Sequence, residues 1–144
     1  MFTSVPSRAA AAYRRIAAET SVQGADPHQL VGLLFDALLR HIKSAQGAID
    51  RKDVVTKSES LGKAVRIIEE GLKAGLNLRD GGEIAANLHQ LYGYCVVRLM
   101  QANLRSDRKA LDETLGLLEP VARSWQQIKG PGPAYLQPVP AAGA

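Results

Sequence analysis

Three histidines and one cysteine are the residues of this 144-residue chain best suited to hold a metal or attack a substrate. A helical bundle that binds two iron ions presents Glu-x-x-His pairs to its core. Here His28, His41 and His89 follow Ala25, Leu38 and Ala86 at that spacing, so the pair is missing. Cys95 and His89 are six residues apart, which on one helix sends them to different faces. No Cys/His cluster has the spacing of a zinc site. His41 falls on an apolar stripe and reads as a core histidine. Cys95, inside "LYGYCVVRLM", reads as a buried and inert thiol. Asp36, in "LLFDALL", comes closest to a stranded carboxylate, yet Arg40 and Lys43 stand near enough for it to face water. The sequence therefore predicts neither catalysis nor a metal or cofactor.

The net charge of +4 invites a nucleic-acid reading. Lys and Arg form no block, however, and Glu59/Lys63, Arg66/Glu70 and Glu69/Lys73 are offset pairs of a solvated helix face. Nucleic acid is excluded on that ground. No window approaches the ~18 apolar residues that would span a bilayer, so membrane insertion is not expected. The first residues, "MFTSVPSRAAAAYRR", lack the apolar run of a secretory signal, and the expected compartment is the cytoplasm.

The elements follow from periodicity. Two Phe and one Trp leave an aliphatic core rich in helix formers. Residues 1–25 have no clean period and are expected to be an arm that is helical only when docked. The first firm helix starts at "DPHQ", where Asp26 caps, Pro27 takes the first position and Gln29 completes a capping box. Leu30, Leu34, Ala37, Leu38, His41, Ala45 and Ile49 form its stripe. Asp53 caps a second helix with Val54, Leu61, Val65, Ile68 and Leu72 inward, its end weakened by Gly71 and Gly75. Asp80 and Glu83 suggest a second capping box, with the Gly81–Gly82 pair allowing a tight reversal. The third helix follows, with Ile84, Leu88, Leu91, Cys95 and Leu99 inward. Ser106 or Asp107 caps the fourth, which carries Leu111, Leu115, Leu118, Ala122 and Trp125 on one side. Pro120 inside it predicts a kink or break. Residues 130–144, holding four of the seven prolines, are expected to be a disordered tail. The fold class is all-α: an antiparallel up-and-down four-helix bundle, residues 26–129, with a short N-terminal arm or helix.

Once the stripes are filled, apolar residues remain: Val31, Leu33 and Phe35 on the first helix, and Tyr92, Tyr94, Val97 and Met100 on the third. A helix apolar on every side is often only central in its bundle. With four helices, though, each keeps one side toward solvent, and the surplus points to grooves for amphipathic partner helices or the chain's own arm.

These residues carry a resemblance. Tyr13, then "GADPHQLVGLLFDALLRHIKSAQGAI", "GGEIAANLHQLYGYCVVRLMQAN" and "LLEPVARSW" together resemble the flagellin export chaperones, the FliS family, from residue 13 to about residue 128. Gly82-Glu83-Ile84-Ala85, Asn87-Leu88 and Leu91-Tyr92 are the most specific part. Ala37 stands where the family often has Gly, and Gly71 and Gly75 interrupt a segment the family makes more helical. The resemblance implies a cytoplasmic chaperone without a catalytic site. It would hold the C-terminal segment of flagellin, prevent early polymerisation and pass the client to the export gate of the flagellar secretion apparatus. It also implies that the arm around Tyr13 can lie over the client groove. The candidate partner-binding residues are Tyr13, Ile16, Val31, Leu34, Phe35, Asn87, Tyr92, Tyr94, Val97, Met100 and Leu104. A homodimer is a further expected state of the free chaperone, and a small structural or adaptor protein that self-associates through the same surfaces is the alternative reading.

Overall fold

The structure, a computed structural model, describes residues 26–128. The expected arm and the Pro-rich tail lie outside the described residues, as do Tyr13 and Ile16. Among the described residues, four α-helices and one π-helical segment make up the fold, in the all-α bundle class the periodicity predicts. Helix α1 is Pro27–Asp50, α2 is Val54–Arg66, the π segment is Ile67–Lys73, α3 is Gly82–Arg105 and α4 is Arg108–Gln127.

Local chemistry starts three of the helices as the sequence predicts. Gln29 N–H donates to Asp26 Oδ1 at 2.7 Å and Asp26 N–H to Gln29 Oε1 at 3.2 Å, a complete capping box with Pro27 inside it. Asp53 accepts from Thr56 N–H, and Asp107, not Ser106, accepts from Lys109 and Ala110 N–H. Ser106 instead closes α3 in the left-handed region at φ 50°.

The box expected at Asp80 and Glu83 does not form. Gly81 occupies the cap position without a side-chain bond, and Gly82 enters the helix at φ +62°, a conformation strained for any residue with a Cβ. Asn77 organises the turn before it, accepting from Asp80 N–H through Oδ1 and from Gly81 N–H through its carbonyl. The glycine pair does provide the predicted reversal.

The second predicted helix changes character. Its α geometry stops at Arg66 and seven residues of π-helix follow. Ile67/Ile68, Gly71/Leu72 and Gly75/Leu76 are buried pairs repeating every four residues. That spacing exceeds the 3.6 of an α-helix, and the wider i→i+5 turn of Ile67–Lys73 keeps the first two pairs on the core side. Val54, expected inward, is exposed on the first turn of α2. Pro120 does not break α4, which runs on to Gln127.

Antiparallel order is written in cross-helix bonds. Ser60 donates to Ser44 between α2 and α1, Ser58 to Asn103 between α2 and α3, and Gln46 to Asp112 between α1 and α4. Arg108 pairs with Asp50 one turn beyond Gln46, while His28 meets Trp125 at the opposite end, so α1 and α4 run in opposite directions. The core they enclose is aliphatic. Leu34, Leu38, Ile42, Leu61, Ile68, Leu99, Leu111 and Leu118 are wholly buried, with Thr114 satisfied by the Leu111 carbonyl. Burial of these side chains is the main stabilising term, about 1.5–3 kcal/mol for each large one.

Candidate functional site: an apolar groove and an exposed helix face

A groove of about 260 Å³ opens between α1, the π segment, α3 and α4. Val31 and Phe35 form its floor from α1, one helical turn apart. Leu72 enters from the π segment. Ile84, Leu88 and Tyr92 come from α3 at four-residue spacing, and Pro120, Val121, Ser124 and Trp125 from α4. Ile84, expected in the core, is 55% exposed on the rim, whereas Tyr92, expected outside the core stripe, is 2% exposed. The core row of α3 is therefore Ala85, Tyr92, Cys95, Leu99 and Ala102. Pro120 lacks an N–H and offers the groove a ring in place of a backbone donor.

Trp125 is fixed by a reciprocal pair of bonds. Its Nε1–H donates to the His28 carbonyl at 2.9 Å, and His28 Nε2–H donates to the Trp125 carbonyl at 2.9 Å. The two rings stack with centroids 4.8 Å apart and planes 20° from parallel. His28 thus finds a structural use in place of the metal ligation rejected from its spacing.

A second apolar surface lies elsewhere on α3. Val97, Met100 and Leu104, at 51%, 59% and 83% exposure, follow one another at three- and four-residue spacing. At 100° per residue Val97 stands roughly 140° round the helix from Tyr92. Asn87 and Tyr94, seven residues apart and both exposed, lie along the edge of this face. Tyr94 Oη donates to Glu113 at 2.7 Å, and Arg98 Nε donates to the other carboxylate oxygen at 2.7 Å. These bonds, Tyr94 first, hold the Glu113 carboxyl below its ordinary range and push the Tyr94 phenol up. Arg98 is also engaged by Gln101, so its guanidinium is held by two partners on the protein itself.

The candidate residues consequently divide. Val31, Phe35 and Tyr92 meet in the groove; Asn87, Tyr94, Val97, Met100 and Leu104 share the outer region of α3. Leu34 belongs to neither, being wholly buried. The sequence reading did not assign Leu72, Ile84, Leu88, Pro120, Val121, Ser124 or Trp125 to a binding surface. A proline retained inside a helix was the available signal for α4.

The remaining chemistry is quiet. Cys95 is buried, which pushes its thiol up to about 11. Asp36 is exposed. Among the described residues no group of three or more His, Cys, Asp and Glu is placed to hold a metal ion, and no helix is long and apolar enough to cross a membrane.

Comparison with known proteins gives this geometry a context. Residues 9–131 match the family described as "Flagellar protein FliS". The chain is 48% identical to the flagellar secretion chaperone FliS of Salmonella typhimurium over 117 residues, 81% of this chain and 87% of that protein. It is 39% identical to the flagellar secretion chaperone FliSB of Pseudomonas aeruginosa over 116 residues, 81% and 91% of the two chains. The FliS of Escherichia coli is also 39% identical over 116 residues, 81% and 85%.

Proposed function

The chain belongs to the FliS family, flagellar secretion chaperones without enzymatic activity, and from that premise we propose that its client is the C-terminal segment of flagellin. The segment docks as amphipathic helix in the apolar groove and extends over the outer face of α3. The chaperone acts in the cytoplasm, before export. Flagellin held this way cannot use the same apolar residues to polymerise, and the complex is handed to an export-gate component of the flagellar secretion apparatus. Tyr13 and Ile16, outside the described residues, are assigned to client contact and hand-over by the family resemblance alone.

The observation that carries this reading is the groove itself: nine of its ten lining residues are Val, Leu, Ile, Pro, Phe, Tyr or Trp, with Ser124 the exception. Such a groove suits a helix that presents side chains at i, i+3, i+4 and i+7. Apolar burial at ~25 cal/mol per Å² drives the association. A disordered client gives back about 2–5 kcal/mol of it in ordering.

Solution mass separates this reading from self-association. The chain, single or paired when free, is expected to take up one flagellin C-terminal fragment per copy. A stable dimer that shuts the fragment out would overturn the chaperone reading in favour of an adaptor that pairs with itself.

A further inference from the structure

We infer that His28 is a positioning residue for the client groove, holding the Trp125 indole as a preset wall; this rests on the reading that the groove takes the flagellin segment. Three observations converge on it. The contact is reciprocal, each side chain donating to the other residue's carbonyl at 2.9 Å, so neither ring turns without breaking a bond. Because a carbonyl only accepts, His28 must carry its proton on Nε2, which fixes the ring's role as donor. The stacked rings add an aromatic contact at a centroid distance of 4.8 Å. The indole also lies along α1: a Cβ built at Gly32 would meet its Cδ1 at 3.8 Å, ordinary van der Waals contact. Trp125, only 4% exposed, is thereby braced against α1, and the part of it left open lines the groove together with Val31, Phe35 and Tyr92.

The clasp joins residues 97 positions apart, the first turn of α1 and the last turn of α4. Helix ends fray, and a side chain on a terminal turn ordinarily samples several rotamers. Locking the largest lining side chain before the client arrives removes that ordering from the cost of binding. His28 therefore acts on affinity through Trp125 and does not itself line the groove.

Trp125 is the one tryptophan of the chain, so its fluorescence reports the clasp without a label. The test compares wild type, His28→Ala and His28→Gln in the full-length protein, read by helical circular dichroism, tryptophan emission with acrylamide quenching, and titration with a flagellin C-terminal peptide. His28→Ala should stay helical, shift Trp125 emission to the red, increase quenching and weaken the peptide by about tenfold, a loss on the scale of one or two hydrogen bonds. His28→Gln, which keeps an N–H donor of similar reach, should recover part of both effects. Unchanged emission and quenching in folded His28→Ala would overturn the clasp. Altered emission with unaltered affinity would overturn its role in binding. Should His28→Ala fail to fold, Trp125→Phe, which removes the Nε1 donor but keeps an aromatic wall, supplies the affinity arm, and His28→Gln the fluorescence arm. A wild-type protein that binds no peptide contradicts the proposed function instead, and the emission of the free variants still judges the clasp.

Discussion

The ammonium of Lys57 on α2 lies 2.8 Å from Ser106 Oγ and 2.9 Å from the Asn103 carbonyl, at the C-terminal end of α3. Only 6% of the residue is exposed. The last carbonyls of a helix have no partner within it and carry partial negative charge, so a lysine reaching them from a neighbouring helix satisfies both needs. Lys57→Met keeps the apolar stem and deletes the charge. We expect it to lower stability by about 1–2 kcal/mol in urea melts. A melt unchanged from wild type would show that the contact contributes nothing.

Glu113 links Tyr94 and Arg98, and its depressed carboxyl makes that link sensitive to acid. A depressed carboxylate stabilises the fold fully above its unfolded value and loses that contribution as pH falls through the folded one. Wild type should therefore melt above Glu113→Gln at neutral pH. The gap should close once pH drops well below the ordinary carboxyl value of 4.5. High salt should narrow it as well, because the ion pair is open to solvent, with Arg98 at 25% and Glu113 at 39% side-chain exposure. A gap that widens in acid would contradict the assignment.

Tyr92 and Val97 separate folding from surface. Tyr92→Ala empties a core position and should cost about 3 kcal/mol or more. Val97→Asp alters an exposed position and should change stability by no more than about 0.5 kcal/mol. Both should weaken flagellin peptide binding. Equal losses of helix stability in the two variants would mean the faces of α3 are misassigned.

Cys95 should be silent. Buried among apolar side chains with its thiol pushed up to about 11, it offers almost no thiolate at pH 8. A thiol-exchange reagent should react slowly with the folded protein and stoichiometrically in denaturant. Rapid reaction without unfolding would show that the helix opens locally.

The helix starts at Asp26, Asp53 and Asp107 were legible because a cap depends on residues within one turn of each other. The surplus of apolar residues on α3 was legible too, but not its division. In a helix apolar on most sides, spacing alone allows Ile84 or Ala85, and Leu88 or Tyr92, to face inward; which row wins depends on where α1 and α4 pack. The π segment was hidden for a related reason. A buried repeat of four differs from 3.6 by less than half a residue per turn, and the shift accumulates only across Ile67, Gly71 and Gly75. At Asp80 and Glu83 a motif was present, but the positive φ of Gly82 moved the helix start past it. Trp125 was assigned to the core correctly, while its second face in the groove required the position of His28, at the other end of the chain.

On the proposed function, the groove and the outer face of α3 hold a flagellin segment. Calorimetric titration of the full chain with a flagellin C-terminal peptide, repeated at several temperatures, tests it most directly. The expected result is saturable one-to-one binding, a negative heat-capacity change from apolar burial, and helix gained by the peptide. No heat and no helix at tens of micromolar peptide, from a protein whose own helices are intact, would contradict it.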